Sequence, residues 1–211
     1  MTGVLFRPTH AAWKLCWILG VVALACVARF WYLEEQGNFH AITPGEAYRS
    51  SQMDRDELEH YIRKYGIRSV INLQGRHDSK GWYTEEIDVC LENGARHYDQ
   101  DLASDRVPSK SEIKELLDIF GTAPRPVLIH CQAGADRSGL AAAMWKMAVD
   151  GAPKSEARKQ LSVLFGHVSI GPTRALDEFI EDWHPPQSEQ SKGPASLSSR
   201  IMAALYEIYG K

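Results

Sequence analysis

Residues 127–140, with the sequence VLIHCQAGADRSGL, constrain the fold more than any other part of the chain. They begin with a short apolar run that is typical of a buried strand and end in a pattern that is typical of an amphipathic helix. Between the two lies a loop of small and polar residues, with Cys131 at its start and Arg137 at its end. A thiol and a guanidinium therefore lie together at a strand–helix junction, which is where open α/β sheets carry their functional loops.

Strand and helix patterns alternate along the rest of the chain. Residues 34–46 precede the first predicted strand and end in a turn. Alternating strands and helices predict an α/β sheet with helices on both faces. Strands are predicted at residues 47–50, 67–73, 95–102 and 125–130, and helices at 54–65, 82–93, 110–120, 138–149, 153–166 and 171–183.

The first 33 residues differ in composition from the rest, because they contain three basic residues and no acidic one. Residues 15–28 form an unbroken run of apolar or small residues, as in a secretory signal. Ala23 and Ala25 fit a cleavage site, whereas an extension past Arg29 through residues 30–33 favours a membrane anchor over residues 11–33. A lipoprotein site at Cys26 and a buried N-terminal helix are weaker alternatives. In both favoured cases the domain that follows is exported.

The remaining chain divides into a domain and a tail. We predict one domain over residues 34–183, followed over residues 184–211 by a linker rich in Pro, Ser, Gln and Gly. Apolar residues at helical spacing then predict a short C-terminal amphipathic helix, namely Leu197, Ile201, Leu205 and Ile208. The formal net charge of −3 gives no reason to expect nucleic acid as a partner.

Cysteine usage points away from a disulfide scaffold or a zinc site. Within the predicted domain only Cys90 and Cys131 occur, and no pair has the spacing of zinc ligands. A disulfide between these two cysteines is possible in an oxidising compartment, but the sequence does not establish the geometry that it needs.

The loop that follows Cys131 has the chemistry of an anion site. Its small residues allow tight curvature, so its N–H groups and the positive end of the next helix can converge on a tetrahedral oxyanion. Arg137 adds a planar fork with two parallel donors. The predicted phosphate-binding residues are Cys131, Gln132, Ala133, Gly134, Ala135, Asp136 and Arg137.

Cys131 is the predicted nucleophile, because a thiol beside a helix N-terminus and a cation is expected to ionise. It can attack phosphorus in line and form a cysteinyl-phosphate. Ser138 can donate a hydrogen bond to the sulfur when it becomes the leaving group. His130 either braces the loop through its ring nitrogens or is a satisfied, half-buried histidine.

The motif HCQAGADRS matches the His-Cys-x5-Arg-Ser/Thr signature of cysteine-based protein phosphatases. Over roughly residues 38–183, AYRSSQM, YGIRSVINLQG and HCQAGADRSGLAAA resemble the compact bacterial branch of dual-specificity-like tyrosine phosphatases. The resemblance implies a three-layer α/β/α domain with a central mixed sheet. It also implies metal-independent, cofactor-free hydrolysis of phosphotyrosine proteins, with phosphoserine and phosphothreonine as further substrates. Exported members carry an N-terminal signal, which implies a periplasmic domain that is soluble or tethered to the inner membrane.

A two-step phosphatase needs a general acid that later acts as a base. The candidates upstream of Cys131 are Asp99, Asp101 and Asp105. Asp99 ends a predicted strand. Related phosphatases place their acid shortly before a proline-containing helix start, which matches Asp105 and leaves Asp101 as the alternative.

Two features bear on the substrate. None of the five residues between Cys131 and Arg137 is basic, and one of them, Asp136, is acidic. Phosphoinositide phosphatases that resemble this group often have lysines there, so an acidic loop favours phosphotyrosine over inositol phosphates unless Asp136 points away and braces a neighbour. Residues 76–77 and 82–83 can line one side of the substrate cleft beside the phosphate loop. For Trp82 the alternative is a position in the core. The family usually has Arg where this chain has Gln74.

Two further classes use a similar loop. A rhodanese-like sulfur transferase has no need for the Arg-Ser pair or for an upstream acid. A non-catalytic phosphate-binding module lacks either the nucleophile or the acid. Both features are present here, so an enzyme is the stronger hypothesis.

Overall fold

A computed structural model describes residues 10–35 and 37–186. Within this part of the chain one mixed sheet has the order β1-β2-β5-β3-β4. Only β1 runs antiparallel to its neighbour, and the other pairs are parallel. The strands are β1 (His40–Thr43), β2 (Ala47–Ser50), β3 (Ser69–Asn72), β4 (Arg96–Asp99) and β5 (Val127–His130). Because β5 is the central strand, the loop that follows it lies between the ends of β2 and β3.

The described residues also form helices and single 3-10 turns. The α-helices are α1 (His10–Glu35), α2 (Arg55–Tyr65), α3 (Gly81–Glu92), α4 (Lys110–Thr122), α5 (Asp136–Ala148), α6 (Lys154–Ala157) and α7 (Arg174–Asp182). The 3-10 turns are Arg158–Gln160, Val163–Phe165 and Gly171–Thr173.

Helices cover both faces of the sheet, as the sequence predicts. Along β5 the side chains alternate: Val127 and Ile129 pack in a core cluster with residues of α4, α5 and α7, whereas Leu128 packs in a second cluster with residues of α2 and α3. This alternation is the two-residue period of a strand that is buried on both sides.

Local sequence signals set the ends of the helices that flank the site. Asp54 begins α2 with a capping box that includes Glu57, and Gly66 ends the helix in the left-handed conformation. Ser109 begins α4 with a second capping box that includes Glu112. Both starts agree with the sequence prediction.

The structure differs from the predicted elements at three places. Strand β1 lies inside residues 34–46, where no strand is predicted, because a four-residue edge strand carries little periodic signal. Helix α4 runs through Gly121, since the packing of buried neighbours such as Phe120 outweighs the cost of one glycine. The helix predicted over residues 153–166 breaks after α6 into 3-10 turns. The Gln160 carbonyl accepts a hydrogen bond from Arg49 (2.6 Å), so a tertiary contact replaces a helical one.

The N-terminal run is helical and exposed. In α1 the large apolar side chains Trp13 and Leu24 are 61% and 69% exposed. Among the described residues, no helix is both long and apolar enough to cross a membrane. The predicted C-terminal helix and most of the linker lie outside the described residues.

Candidate active site

Cys131 lies at the base of the loop between β5 and α5. Its side chain is buried, and its Sγ is 3.6 Å from the Ser138 Oγ in the first turn of α5. No side chain caps the start of this helix, where Ala135 is the N-cap residue. The N–H groups at the positive end of α5 therefore remain directed at the loop. Cys131 and Ser138 thus lie together as the sequence predicts.

Hydrogen bonds turn the loop carbonyls away from the site. The carbonyls of residues 132–135 accept, in order, from the Gln52 N–H (3.2 Å), Asn38 Nδ2 (3.1 Å) and, for the last two, Arg49 Nη2 (2.9 and 3.0 Å). In a planar trans peptide the carbonyl of one residue and the N–H of the next point in opposite directions. The N–H groups of residues 133–136 therefore face away from these donors, as an anion site requires.

Gly134 allows the loop to approach β2. Its φ is +68°, and a Cβ atom at this position would lie 2.5 Å from the Ser51 nitrogen and 2.7 Å from the Ser50 carbonyl carbon. Such distances exclude any side chain unless the backbone moves. Gly134 is therefore needed both for its left-handed conformation and for the space that a missing Cβ leaves.

The sequence prediction missed Arg49, which lies behind the loop in β2. It is fully buried, and its Cζ stacks over the Phe165 ring at 4.6 Å from the centroid. Burial lowers the pKa of the Arg49 guanidinium to about 10, and the negative charges of Cys131 and Asp136 oppose this shift. Arg49 is thus charged at neutral pH. A charged residue within a short strand that is otherwise buried was the available signal.

Arg137 lies at the front of the site, half-buried, with its Nη1 3.4 Å from the Leu73 carbonyl. The loop after β3 is adjacent, because the Gln74 Nε2 donates to the Gln52 Oε1 (3.0 Å). Gln52 in turn bonds to the phosphate loop, so Gln74 and the phosphate loop share this neighbour. Its Arg76, however, is paired with Asp78 (2.8 Å).

The aromatic residues after this loop differ in burial. Trp82 is half-buried, with its ring 5.5 Å from that of His77. Tyr83 is buried and donates to Asp99. Burial, followed by this hydrogen bond, raises the pKa of Tyr83 to about 12. The Tyr83 hydroxyl is therefore bonded to Asp99. Of the two aromatic residues, only Trp82 can face a substrate.

His130 is buried and points to α3. Its Nε2 lies 3.0 Å from the Glu86 Oε1, and His97 Nε2 lies 2.7 Å from the same oxygen. Burial by itself raises the pKa of Glu86, but the two histidines outweigh burial and lower this pKa to about 2. The brace thus joins β5 to α3 and does not run to the phosphate loop, contrary to one of the two predicted roles of His130.

Asp136 faces away from the site and contacts a histidine. Its Oδ1 lies 2.7 Å from the His167 Nδ1, and the His167 Nε2 lies 3.0 Å from the Asp177 Oδ2. The bond to Asp136, and then that to Asp177, raises the pKa of the buried His167. The bracing alternative for Asp136 therefore describes its side chain, and His167 links the first turn of α5 to α7.

The two candidate acids lie on the segment between β4 and α4, and both are exposed. The backbones of Asp101 and Gln74 pair in an isolated antiparallel β-bridge just after β4 and β3 end. Asp105 lies on the loop that the Ser109 capping box and the Arg106–Glu112 ion pair (2.7 Å) hold in place. The assignment of Asp105 over Asp101 remains a prediction.

Cys90 is separate from the site. Cys90 and Cys131 are both free thiols, and they belong to core clusters on opposite faces of the sheet. Burial, followed by the charge of Glu86, raises the pKa of Cys90 to about 12. The Cys90 thiol is therefore almost wholly protonated at neutral pH and is a weak nucleophile. Cys90 and Cys131 do not form the disulfide that the sequence analysis left open.

These features define an α/β domain with a cysteine-based phosphate loop. The family model described as "Tyrosine phosphatase family" matches residues 33–157, and the chain belongs to that family. No curated protein matches the sequence.

Solved structures of phosphatases share the fold. TpbA of P. aeruginosa is 22% identical with a TM-score of 0.56, and the match covers 79% of this chain and 90% of that chain. The core catalytic domain of the PP-IP phosphatase Siw14 from S. cerevisiae is 21% identical with a TM-score of 0.56, covering 69% and 85%. The active form of Tk-PTP is 22% identical with a TM-score of 0.52, covering 69% and 98%.

We predict that Gly134→Ala lowers kcat/KM by about 10²-fold, the cost of misplacing reacting groups by about 1 Å. The matched control is Gly45→Ala, because Gly45 also has a positive φ (+79°) but no atom lies within 4 Å of its added Cβ. Both variants carry left-handed strain of about 1–2 kcal/mol. Thermal unfolding of Gly45→Ala measures this shared cost, and the difference between the two variants in turnover of an aryl phosphate measures the effect of the close approach at Gly134. Equal activity of the two variants would contradict the role assigned to Gly134.

We predict that His167→Gln destabilises the protein more at pH 6 than at pH 9. The folded-state pKa of His167 is raised above 6.5, so its stabilising contribution is fully present below that value and is lost as the pH rises through the folded pKa. Urea unfolding of the variant and the wild type at both pH values measures the difference. His60→Gln, at an exposed position, is the control. A pH-independent effect of His167→Gln would show that the charge of the ring does not contribute.

Proposed function

We propose that this protein is a dual-specificity-type protein tyrosine phosphatase that acts through a cysteinyl-phosphate intermediate. One observation carries the proposal: Cys131 lies at the base of a loop whose carbonyls of residues 132–135 are all held outward. Arg137 follows at the end of the loop. The arrangement supplies a nucleophile, a set of converging N–H groups and a cation for a bound phosphate.

In the first step the Cys131 thiolate attacks phosphorus, forming the S–P bond while the P–O bond to the substrate breaks. The leaving oxygen takes a proton from the general acid, for which we propose Asp105. Charge on the three remaining phosphate oxygens is stabilised by the loop N–H groups and Arg137, which are already oriented before the reaction.

In the second step the ionised Asp105 takes a proton from water, and the resulting hydroxide attacks phosphorus. The S–P bond breaks, inorganic phosphate leaves, and the thiolate is restored. The Ser138 hydroxyl, 3.6 Å from the sulfur, can donate to the developing thiolate. The acid is protonated again at the end of the cycle, so protons balance.

Local charge supports a monoester such as phosphotyrosine over a polyphosphorylated inositol. Two arginines on the neighbouring loops are already neutralised, Arg76 by Asp78 and Arg106 by Glu112. Arg49 lies behind the loop and is fully buried. Among these four arginines, Arg137 is therefore the one that is neither fully buried nor paired with a carboxylate, which matches one phosphate. The Asp136 carboxylate no longer contributes to this preference, because it faces His167.

The fold is compatible with both substrate classes. One structure of TpbA is a complex with pTyr, and Siw14 is described as a PP-IP phosphatase. Inositol phosphates are therefore the competing substrate in the test.

We predict that the reduced full-length protein hydrolyses an aryl phosphate and a phosphotyrosine peptide faster than a soluble inositol polyphosphate. Cys131→Ser should lower turnover by about 10⁴-fold or more, as loss of a nucleophile does. Asp105→Asn should lower it by about 10²-fold or more, because general acid catalysis contributes at least that much. Asp101→Asn is the matched control and should retain activity. Release of inorganic phosphate is measured for the wild type and the three variants with each substrate.

Each alternative outcome has a distinct meaning. A large loss in Asp101→Asn with activity retained in Asp105→Asn transfers the acid role to Asp101. Faster turnover of the inositol compound makes the protein an inositol-phosphate phosphatase. A folded, reduced wild type with no turnover of any of the three substrates contradicts the enzyme hypothesis and leaves an anion-binding domain.

We also propose that the domain is exported to the periplasm by its N-terminal segment. The absence of acidic residues among the first 33 residues and the apolar run over residues 15–28 support export. A fusion of residues 1–40 to a reporter that is active only outside the cytoplasm should be active, and Val22→Arg, which interrupts the run, should abolish that activity. Equal activity of both fusions would contradict export.

A further inference from the structure

Arg49 is an unusual residue for its position. It lies in β2, a strand in which all four residues are buried, and its own side chain has no exposed surface. Burial of a charged group is costly unless it is paired or hydrogen-bonded. Its four hydrogen bonds all go to uncharged oxygens: the carbonyls of Gly134 and Ala135, and the backbone and side-chain oxygens of Gln160 (2.6 and 3.1 Å).

One nitrogen of Arg49 controls two consecutive peptide groups of the phosphate loop. The Nη2 donates to the Gly134 carbonyl and to the Ala135 carbonyl, so the N–H groups of residues 135 and 136 are held on the opposite side. Those N–H groups lie in the part of the loop that leads into α5. A donor behind the loop thereby determines which way the donors in front of it point.

The other half of the guanidinium is fixed by a separate segment. The Nη1 donates to Gln160, and the Phe165 ring covers the guanidinium plane at 4.6 Å. The same segment also accepts a bond from Asn38, whose Nδ2 donates to the Phe165 carbonyl (2.9 Å) as well as to the phosphate loop. Arg49 is therefore held rigidly, and a planar fork suits this task where a lysine ammonium does not.

Arg49 also adds positive charge behind the nucleophile. The thiolate of Cys131 and the carboxylate of Asp136 are the anions that favour its charged form. The buried guanidinium therefore places a positive charge behind the loop, and the low dielectric of the interior strengthens its field. Arg49 differs from Arg137 in that it has no access to a substrate.

We propose that Arg49 is a positioning residue, which keeps the phosphate loop in its phosphate-binding conformation and places a fixed positive charge behind Cys131 without touching the substrate. This inference rests on the proposed phosphatase function. It predicts that loss of Arg49 affects kcat and thiol reactivity more than KM.

The test compares Arg49→Met, Arg49→Lys and Arg125→Met in the full-length chain. Arg125→Met is the matched control, because Arg125 also stacks on an aromatic ring (Trp145, 4.6 Å) and pairs with Glu46, but at the opposite end of β5. Two quantities are measured: turnover of an aryl phosphate, and alkylation of Cys131 by iodoacetamide at pH 7 followed by mass spectrometry. Thermal unfolding establishes that each variant is folded.

In Arg49→Met we expect kcat to fall by about 10²-fold, as when one preorganised donor is lost. KM should rise less than kcat falls, because the loop N–H groups also bind the phosphate of the bound substrate but contribute most in the transition state. Alkylation at pH 7 should slow by about tenfold, because the sulfur loses both the ordered N–H groups of the loop and the positive charge behind it. Arg49→Lys should restore alkylation but not kcat, since it keeps the charge and loses the fork. Arg125→Met should change neither quantity.

The proposal is overturned if folded Arg49→Met keeps the wild-type kcat and alkylation rate, or if KM alone rises. If Arg49→Met does not fold, Arg49→Lys decides the question, because wild-type kcat in that variant also contradicts the proposal. Alkylation does not depend on turnover, so the two hypotheses can fail separately. An inactive wild type with slower alkylation in Arg49→Met rejects the phosphatase function and retains the effect of Arg49 on the thiol.

Discussion

The site depends on the direction of a few peptide groups. The carbonyls of residues 132–135 are bonded to donors on the side of β1 and β2, and this fixes the opposite face of the loop as a surface of N–H groups. Without those donors, each carbonyl could rotate toward the nucleophile and present negative charge to a phosphate. The outer hydrogen bonds thus determine the sign of the inner surface.

The surrounding elements follow from this requirement. Strand β2 supplies Arg49, the segment before β1 supplies Asn38, and the segment after β2 supplies Gln52. Gly134 lets the loop come close enough for these bonds. Behind them, the segment that contains Gln160 and Phe165 binds the Arg49 Nη1 and covers the guanidinium plane, whereas the buried Nε has no hydrogen-bond partner. His130 is held by Glu86 on the other face, so the end of β5 is fixed before the loop begins.

Sequence patterns were sufficient where the signal is local. The strand–loop–helix around Cys131, the capping boxes at Asp54 and Ser109, and the mixed α/β architecture could all be predicted from neighbouring residues or from the family resemblance. The Cys131–Ser138 contact follows in the same way, since both residues belong to one short motif.

The supporting residues could not be predicted because their partners are distant in the sequence. Arg49 and Asn38 reach the loop across 85 and 95 positions, and His167 reaches Asp136 across 31. No periodicity encodes such pairs. The break in the helix predicted over residues 153–166 has the same origin, because the Gln160 carbonyl bonds to Arg49. Propensity is a weak prior when a tertiary contact competes with it.

The central place of β5 has a consequence for how the protein folds. Its neighbours, β2 and β3, come from parts of the chain that are synthesised well before it, and the loop carbonyls find their donors only when β2 is paired. Contacts of such long range form late, because closure of a long loop precedes any gain. A chain that is only partly folded therefore contains the cysteine but not the electropositive cradle that makes its sulfur reactive. The reactivity of Cys131 therefore arises only with the completed sheet.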